Sequence, residues 1–273
     1  MAITNFISTV WSENLLKKLD QKYVGVLNCN REYEGEIKNK GSRVKICGLS
    51  NVMISDYTKN TDMNAPNTLS DYECTLEINR AKYFNFQIDD IERAQASPKL
   101  MDYAMANAAN ALANEADKYV YSLHDTCDYI RTFDATSGNS IINEIIDTKT
   151  AIMKESGVSS NDIIVEVSPE VAAIITKEKM DIGTDNHEIL ETGLLGRVMG
   201  CKVYVSNNIA ISDNGAHQCF VRTKRAIAFA EQISEVEAYR PEKRFADAVK
   251  GLHLYGAKVV YPEEFFVMSV KLA

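Results

Sequence analysis

His124 and Cys127 stand three residues apart. On a helix that spacing puts two potential metal ligands on one face, about one turn apart. A structural metal site needs about four ligands, and no second pair lies near in sequence. The pair reads instead as a histidine favoured by a helix C-terminus beside a small buried thiol. The carboxylate pairs Asp89-Asp90 and Glu263-Glu264 are adjacent, so they cannot share a helix face and read as solvated loop charges. A serine nucleophile raised on a Gly-x-Ser-x-Gly elbow is absent from the sequence, as are the P-loop and the G-x-G-x-x-G fingerprint. The glycine-rich run from Gly193 to Gly200 precedes a strand rather than opening a helix, which removes it as a phosphate cradle. His124 and His187 are left as candidate bases of a soluble α/β enzyme, with no constellation around either. Neither a cofactor nor a metal is expected.

The six cysteines, Cys29, Cys47, Cys74, Cys127, Cys201 and Cys219, are dispersed without a C-x-x-C pair. With no signal-peptide pattern at Met1–Val10, they read as reduced thiols of a cytosolic product. The chain has 273 residues, 45% of them hydrophobic, which suits one large globular domain or two ordinary ones. No apolar run is long enough to cross a bilayer, and no membrane partner is expected. Thirty-eight acidic against 30 basic residues give a net charge of −8. That excludes a generally basic nucleic-acid binder. A local cluster remains at Lys17, Lys18, Lys22, Arg31, Lys38, Lys40, Arg43 and Lys45, interrupted by Glu32, Glu34 and Glu36. It reads as a weak nucleic-acid surface or, equally, as a solvated arm pairing with acidic neighbours.

The elements that would position such residues are legible in patches. Val10, Trp11, Leu15, Leu16 and Leu19 recur at helical spacing. From Val24 to Asn39 no period is sustained, and the stretch reads as an extended arm rather than a packed element. Arg43 to Cys47 alternates polar and apolar, as does Glu73 to Ile78, and Tyr83 to Ile88 is a strand with aromatic anchors. A second strand is expected over Asn51 to Tyr57, followed by a polar tip from Thr58 to Ser70. Together these describe a long hairpin, which cannot bury both faces on its own monomer. Ser97-Pro98 then opens the strongest helix, with Met101, Met105, Ala108, Leu112, Ala116, Tyr119 and Leu123 on one face. Freedom from Gly and Pro between Lys99 and Asp128 allows about 25–30 helical residues. Thr132 to Asn139 reads as a turn-rich break. A helix from Ser140 to Ser156 follows, apolar at Ile141, Ile145, Thr148, Ile152 and Met153 and closed by Gly157. Strands at Ile163–Val167, Lys202–Ser206, Gln218–Arg222 and Ile227–Phe229, with a helix from Pro169, make an α/β unit. Ile233 to Tyr239 alternates as a further strand, Phe245 to Val249 leads into the run from Gly251 to Val260, and Phe265 to Val270 is a last apolar segment.

Several segments resemble one family. Gly193-x-x-Gly196-x-x-x-Gly200-x-x-Val203-x-x-Ser206-Asn207 is similar to a stretch typical of major capsid proteins of tailed bacteriophages. Tyr255-Gly256-Ala257-Lys258-Val259-Val260-Tyr261-Pro262-Glu263 resembles their C-terminal region, and Lys82 to Asp90 the strand before their long helix. Phe6 to Ser12 with Leu15-Leu16, then Tyr33 to Ile37, resembles their N-terminal arm. The order and spacing of these segments carry the match over nearly the whole chain.

The resemblance implies an α+β protein of the Hong Kong 97-type capsid fold. Residues 1–42 would be the N-terminal arm, and 43–138 the E-loop hairpin and spine helix of a peripheral domain. Residues 139–230 would be the axial domain, and 231–273 the return to the peripheral domain. It implies a major capsid protein without catalysis, which assembles into pentamers and hexamers of an icosahedral head around double-stranded DNA. Expected hairpin contacts are Leu49, Val52, Met53, Ile54 and Lys59. Expected axial contacts are Gly193, Gly196 and Gly200. Implied partners are other copies of the chain, a portal protein, a decoration protein, a separate scaffolding protein in place of a prodomain, and packaged DNA by weak nonspecific contact. The site of action would be the virion shell, assembled in the host cytoplasm. A Lys–Asn crosslink is not expected, since no Glu can be assigned as its base. The nearest rival is an encapsulin-type nanocompartment shell, and the rival from another class is the soluble α/β enzyme.

Overall fold

The computed structural model describes residues 15, 19, 22–33, 43–49, 56, 59, 71–89, 100–135, 139–181, 194–198, 200–242 and 245–272. Three sheets organise them. Strands β1 (Arg43–Leu49) and β2 (Asp71–Glu77) pair antiparallel from Arg43↔Glu77 to Leu49↔Asp71. Strands β3 (Arg80–Asp89), β9 (Ile227–Tyr239) and β10 (Ala246–Val259) form a second sheet in the order β3-β10-β9. Between Leu252 and His253 of β10 the partner on β9 steps from Glu235 to Ile233, a one-residue bulge. The third sheet has the order β4-β11-β8-β5-β7-β6. Its members are β4 (Tyr129–Asp134), β5 (Ile163–Val167), β6 (Leu194–Val198), β7 (Cys201–Val205), β8 (Ala216–Thr223) and β11 (Phe265–Lys271).

Helix α1 (Leu100–Tyr121) runs 22 residues, about 33 Å, and passes into a 3-10 turn, Ser122–Thr126. The N-cap expected at Ser97-Pro98 lies outside the described residues. The buried positions of α1 are Met105, Ala109, Leu112, Ala113, Ala116, Asp117, Val120 and Tyr121. The face is therefore turned slightly from the expected one, with Ala109 and Val120 inside where Ala108 and Tyr119 were expected. Small alanines on this face let the helix lie close against Phe229, Val236, Tyr255 and Phe265 in one core.

Helix α2 (Ile141–Ser156) is capped as its sequence indicates: Ser140 Oγ accepts from Asn143 N, and the Gly157 amide closes the end on Met153 O. Glu178 of helix α3 (Pro169–Asp181) adds a second cap, accepting from Ile141 N at 3.1 Å and Ser140 Oγ at 2.8 Å. Lys149, not Met153, joins the buried face of α2. Both helices cover one face of the six-stranded sheet, over Ile163, Val165, Val203, Val221 and Met268.

Four stretches differ from the sequence reading. Residues 129–134, read in part as a turn-rich break, form β4, because a parallel partner in β11 takes up their backbone groups and Phe133 is buried. Residues 194–198, read only as a glycine-rich run, form edge strand β6. The two strands expected at 227–229 and 233–239 are one continuous strand. The C-terminal segment 231–273 divides: β10 pairs in the three-stranded sheet, and β11 lies between β4 and β8 in the six-stranded one.

A third core joins the hairpin to the body. Val44, Ile46, Leu76 and Ile78 alternate with exposed residues and pack on Ala228, Ala230, Leu254 and Val260. At Gly256 the backbones come so close that an added Cβ would sit 2.2 Å from the Glu77 carbonyl oxygen. Gly256→Ala is therefore expected to lower stability by about 2–4 kcal/mol. Urea unfolding followed by circular dichroism reads this as a reduced midpoint at unchanged slope.

Candidate assembly interface

The stretch Val24 to Asn39, of which the structure describes 24–33, was expected to be an extended arm rather than a packed element. The structure corrects this: Tyr23, Val26, Asn28 and Cys29 are buried, with a 3-10 turn at Val26–Asn28. The reason is a set of polar anchors that sequence periodicity does not register. Glu166 on β5 and Arg222 on β8 lie on the sheet face opposite α2 and α3, and both side chains are fully buried. Arg222 donates to Glu166 from Nε at 3.0 Å and from NH2 at 3.1 Å. Its remaining donors reach the Asn28 and Gly25 carbonyl oxygens. Asn28 Nδ2 donates to Glu166 Oε1 at 2.9 Å. Burial works against the charged guanidinium, yet the Glu166 carboxylate holds it above its ordinary range. One signal was available: a glutamate inside the β-branched run Ile163-Ile164-Val165-Glu166-Val167 must find a buried partner.

Two more carboxylates fasten the same segment. Asp117 on α1 accepts from Val24 N at 3.0 Å and Val26 N at 2.9 Å. Glu231 on β9 accepts from Tyr23 Oη and from Arg31 at 2.6 Å. Asn30 then joins the edge of β9, donating to Ile227 O and accepting from Phe229 N.

The residues expected to make contacts between copies are not gathered in one place. Leu49 ends β1 opposite Asp71. Val52, Met53 and Ile54 lie outside the described residues, as does Gly193, and Lys59 is an exposed turn position. Gly196 sits in β6 opposite Val203. Gly200 forms the β6–β7 turn at φ +89, a conformation that glycine adopts without strain, within 3.3 Å of Ser160 and Asn161 side chains as measured from an added Cβ.

The candidate chemistry resolves into structural roles. His124 Nδ1 stands 3.0 Å from Tyr121 O, and Cys127 Sγ donates to Phe265 O at 3.2 Å. His187 is outside the described residues. Cys29, Cys74, Cys127, Cys201 and Cys219 are free thiols. Among the described residues no group of three or more His, Cys, Asp or Glu could hold a metal ion. An open hollow of about 570 Å3 is lined by Asn161, Asp162, Lys202, Lys224 and Arg225, but Arg225 is engaged by Glu264. Large apolar side chains do stand in solvent: Tyr83 is 78% exposed and Phe245 83%. Exposed apolar groups of this size mark surfaces that other proteins cover.

The comparisons with known proteins bear on what covers them. No family model matches the chain, and no curated protein matches it. Solved structures do. One from Mycobacterium phage Che8 is 27% identical with a TM-score of 0.69, covering 90% of both chains. The capsid structure of the cyanophage P-SCSP1u is 15% identical with a TM-score of 0.62, covering 86% of this chain and 85% of that one. A virus-like particle from Pyrococcus furiosus is 12% identical with a lower TM-score of 0.56, covering 96% and 99%. The chain has the fold of these phage capsid structures, the Hong Kong 97 type. The two phage structures match at TM-scores of 0.69 and 0.62, against 0.56 for the virus-like particle.

The anchoring of segment 22–33 has a measurable pH signature. Burial is the main cause that pushes the Asp117 carboxyl up to about 6, from an ordinary 3.8. Between those values the folded state holds a proton that the unfolded state has lost, so stability falls as pH rises from about 4 to about 6. The expected loss is about 2–3 kcal/mol. Urea unfolding across that range should show this slope in the native chain and lack it in Asp117→Asn.

Proposed function

We propose that the chain is a tailed-phage major capsid protein, which closes an icosahedral head from pentamers and hexamers around double-stranded DNA, with the β1–β2 hairpin as the element that ties each copy to its neighbour. The observation that carries the reading is the division within that hairpin. Its root packs on its own body through Val44, Ile46, Leu76 and Ile78, while Leu49 and Asp71 still pair at its far end. Beyond them lie 50–70, too much chain for a tight turn. Two strands alone are marginal in water, so a hairpin of this length gains stability by lying on another surface. Leu49, Val52, Met53 and Ile54 are its apolar contacts, and Lys59 is a polar one at its tip.

In this reading residues 1–42 are the arm and 43–138 the hairpin and spine of a peripheral domain. Residues 139–230 are the axial domain, whose Gly193, Gly196 and Gly200 approach neighbours near the symmetry axes, and 231–273 return to the peripheral domain. Each apolar side chain buried between copies contributes about 1.5–3 kcal/mol gross. Repetition over many copies turns such modest contacts into a stable closed shell, while single misplaced copies still dissociate. The net charge of −8 keeps contact with packaged DNA sparse and nonspecific. A separate scaffolding protein, a portal and a decoration protein complete the set of partners, and assembly takes place in the host cytoplasm.

Deleting 58–69 tests this. The expected product keeps native circular dichroism and sediments as subunits or small rings, where the full chain sediments as shells. Shells from the deletion at full yield would overturn the role given to the hairpin.

A further inference from the structure

Asn214-Gly215 is the one Asn-Gly step in the chain. It sits at the exposed tip of the turn that leads into β8. The Gly215 amide donates to Ser212 O at 2.8 Å, and Ser212 N donates to Ala216 O at 2.9 Å. Inside this turn Asn214 Oδ1 accepts from Ser212 Oγ and, at 3.2 Å, from Ala216 N. Ser212 Oγ lies farther, 3.1 Å, from Ala216 O, so its one hydrogen goes to Asn214. Gln218 Nε2 on β8 donates to the same hydroxyl at 3.2 Å and holds it in place. A side-chain oxygen that bonds the amide two residues on carries its own carbonyl carbon over the amide in between. Here that places Asn214 Cγ over the Gly215 nitrogen. Gly215 leaves the nitrogen open to approach, since even an added Cβ would meet nothing within 4 Å.

We propose that Asn214 is a self-modification site, which loses its side-chain amide with the Ser212 hydroxyl and the Ala216 amide assisting. The Gly215 nitrogen gives its proton to hydroxide and bonds to Asn214 Cγ. The Cγ–Nδ2 bond then breaks, and that nitrogen takes a proton from water and leaves as ammonia. A five-membered succinimide remains. Water opens it at either carbonyl, giving aspartate or isoaspartate. Water is the co-reactant, and no electrons are transferred. Negative charge develops on Oδ1 during the attack. The two donors already aimed at that oxygen therefore bind it more strongly in the transition state than before it. Asn214 is exposed, so ammonia has an open path out and water an open path in. Each event adds one negative charge to a chain that already carries −8. The isoaspartate form also adds a backbone atom just before β8.

The chemistry is that of the single folded chain and does not rest on the shell reading. Peptide mapping by mass spectrometry, on the full-length chain aged at pH 8 and 37 °C, tests it. Peptides covering 212–218 should gain about 1 Da and separate into aspartate and isoaspartate forms, ahead of every other asparagine. Ser212→Ala should slow that gain about tenfold, the weight of one hydrogen bond in the transition state. Ser212→Thr, which keeps the hydroxyl, should age at the native rate. In concentrated urea, where the turn is lost, the native chain and Ser212→Ala should age alike. An Asn214 that stays intact in the native chain would overturn the proposal, and that readout needs no variant. So would a Ser212→Ala chain that ages as fast as the native one in buffer, or one slowed equally in urea.

Discussion

Arg222 is the residue at which the separate parts of the molecule meet. Its guanidinium is spent entirely inside the protein, on Glu166 of the neighbouring strand and on two carbonyl oxygens of segment 22–33. A buried pair of this kind is no guarantee of added stability, since both charges had to leave water. Its contribution is specificity. Removing either partner strands the other charge, at a cost of about 3–5 kcal/mol, and releases the loop that carries Gly25 and Asn28. The six-stranded sheet, the spine helix and the arm segment are thus held in one arrangement by groups that tolerate no other.

That rigidity suits the shell proposed for this chain. Subunits repeated around symmetry axes must present the same surfaces at the same angles, or small errors accumulate around the ring. The body supplies this through three packed cores and a set of fastened loops. The β1–β2 hairpin supplies reach, with its root anchored on the body and Leu49 paired to Asp71 at the far end of the ladder. Like-charged copies with a net charge of −8 repel at long range.

Much of this was legible from local pattern. Alternation identified β1, β2 and β3, and the Ser140 to Gly157 helix was bounded correctly by its two caps. The buried run at Ile163–Val167 was equally plain. What sequence left hidden depends on partners far along the chain. Strand β4 exists because β11, more than a hundred residues later, lies parallel beside it. Segment 22–33 has no apolar period, and its burial follows from Asp117, Glu166, Arg222 and Glu231, each on a different element. The contacts between copies were the least legible. The contacts proposed for Val52 to Ile54 and for the glycines near Gly200 depend on a second copy, which a single chain's pattern does not contain.

Negative-stain electron microscopy of the purified full-length chain tests the central claim most directly. Closed particles of uniform diameter, or rings of five and six subunits, are the result this account requires. A chain that stays monomeric at every concentration, with and without a coexpressed scaffolding protein, would contradict it.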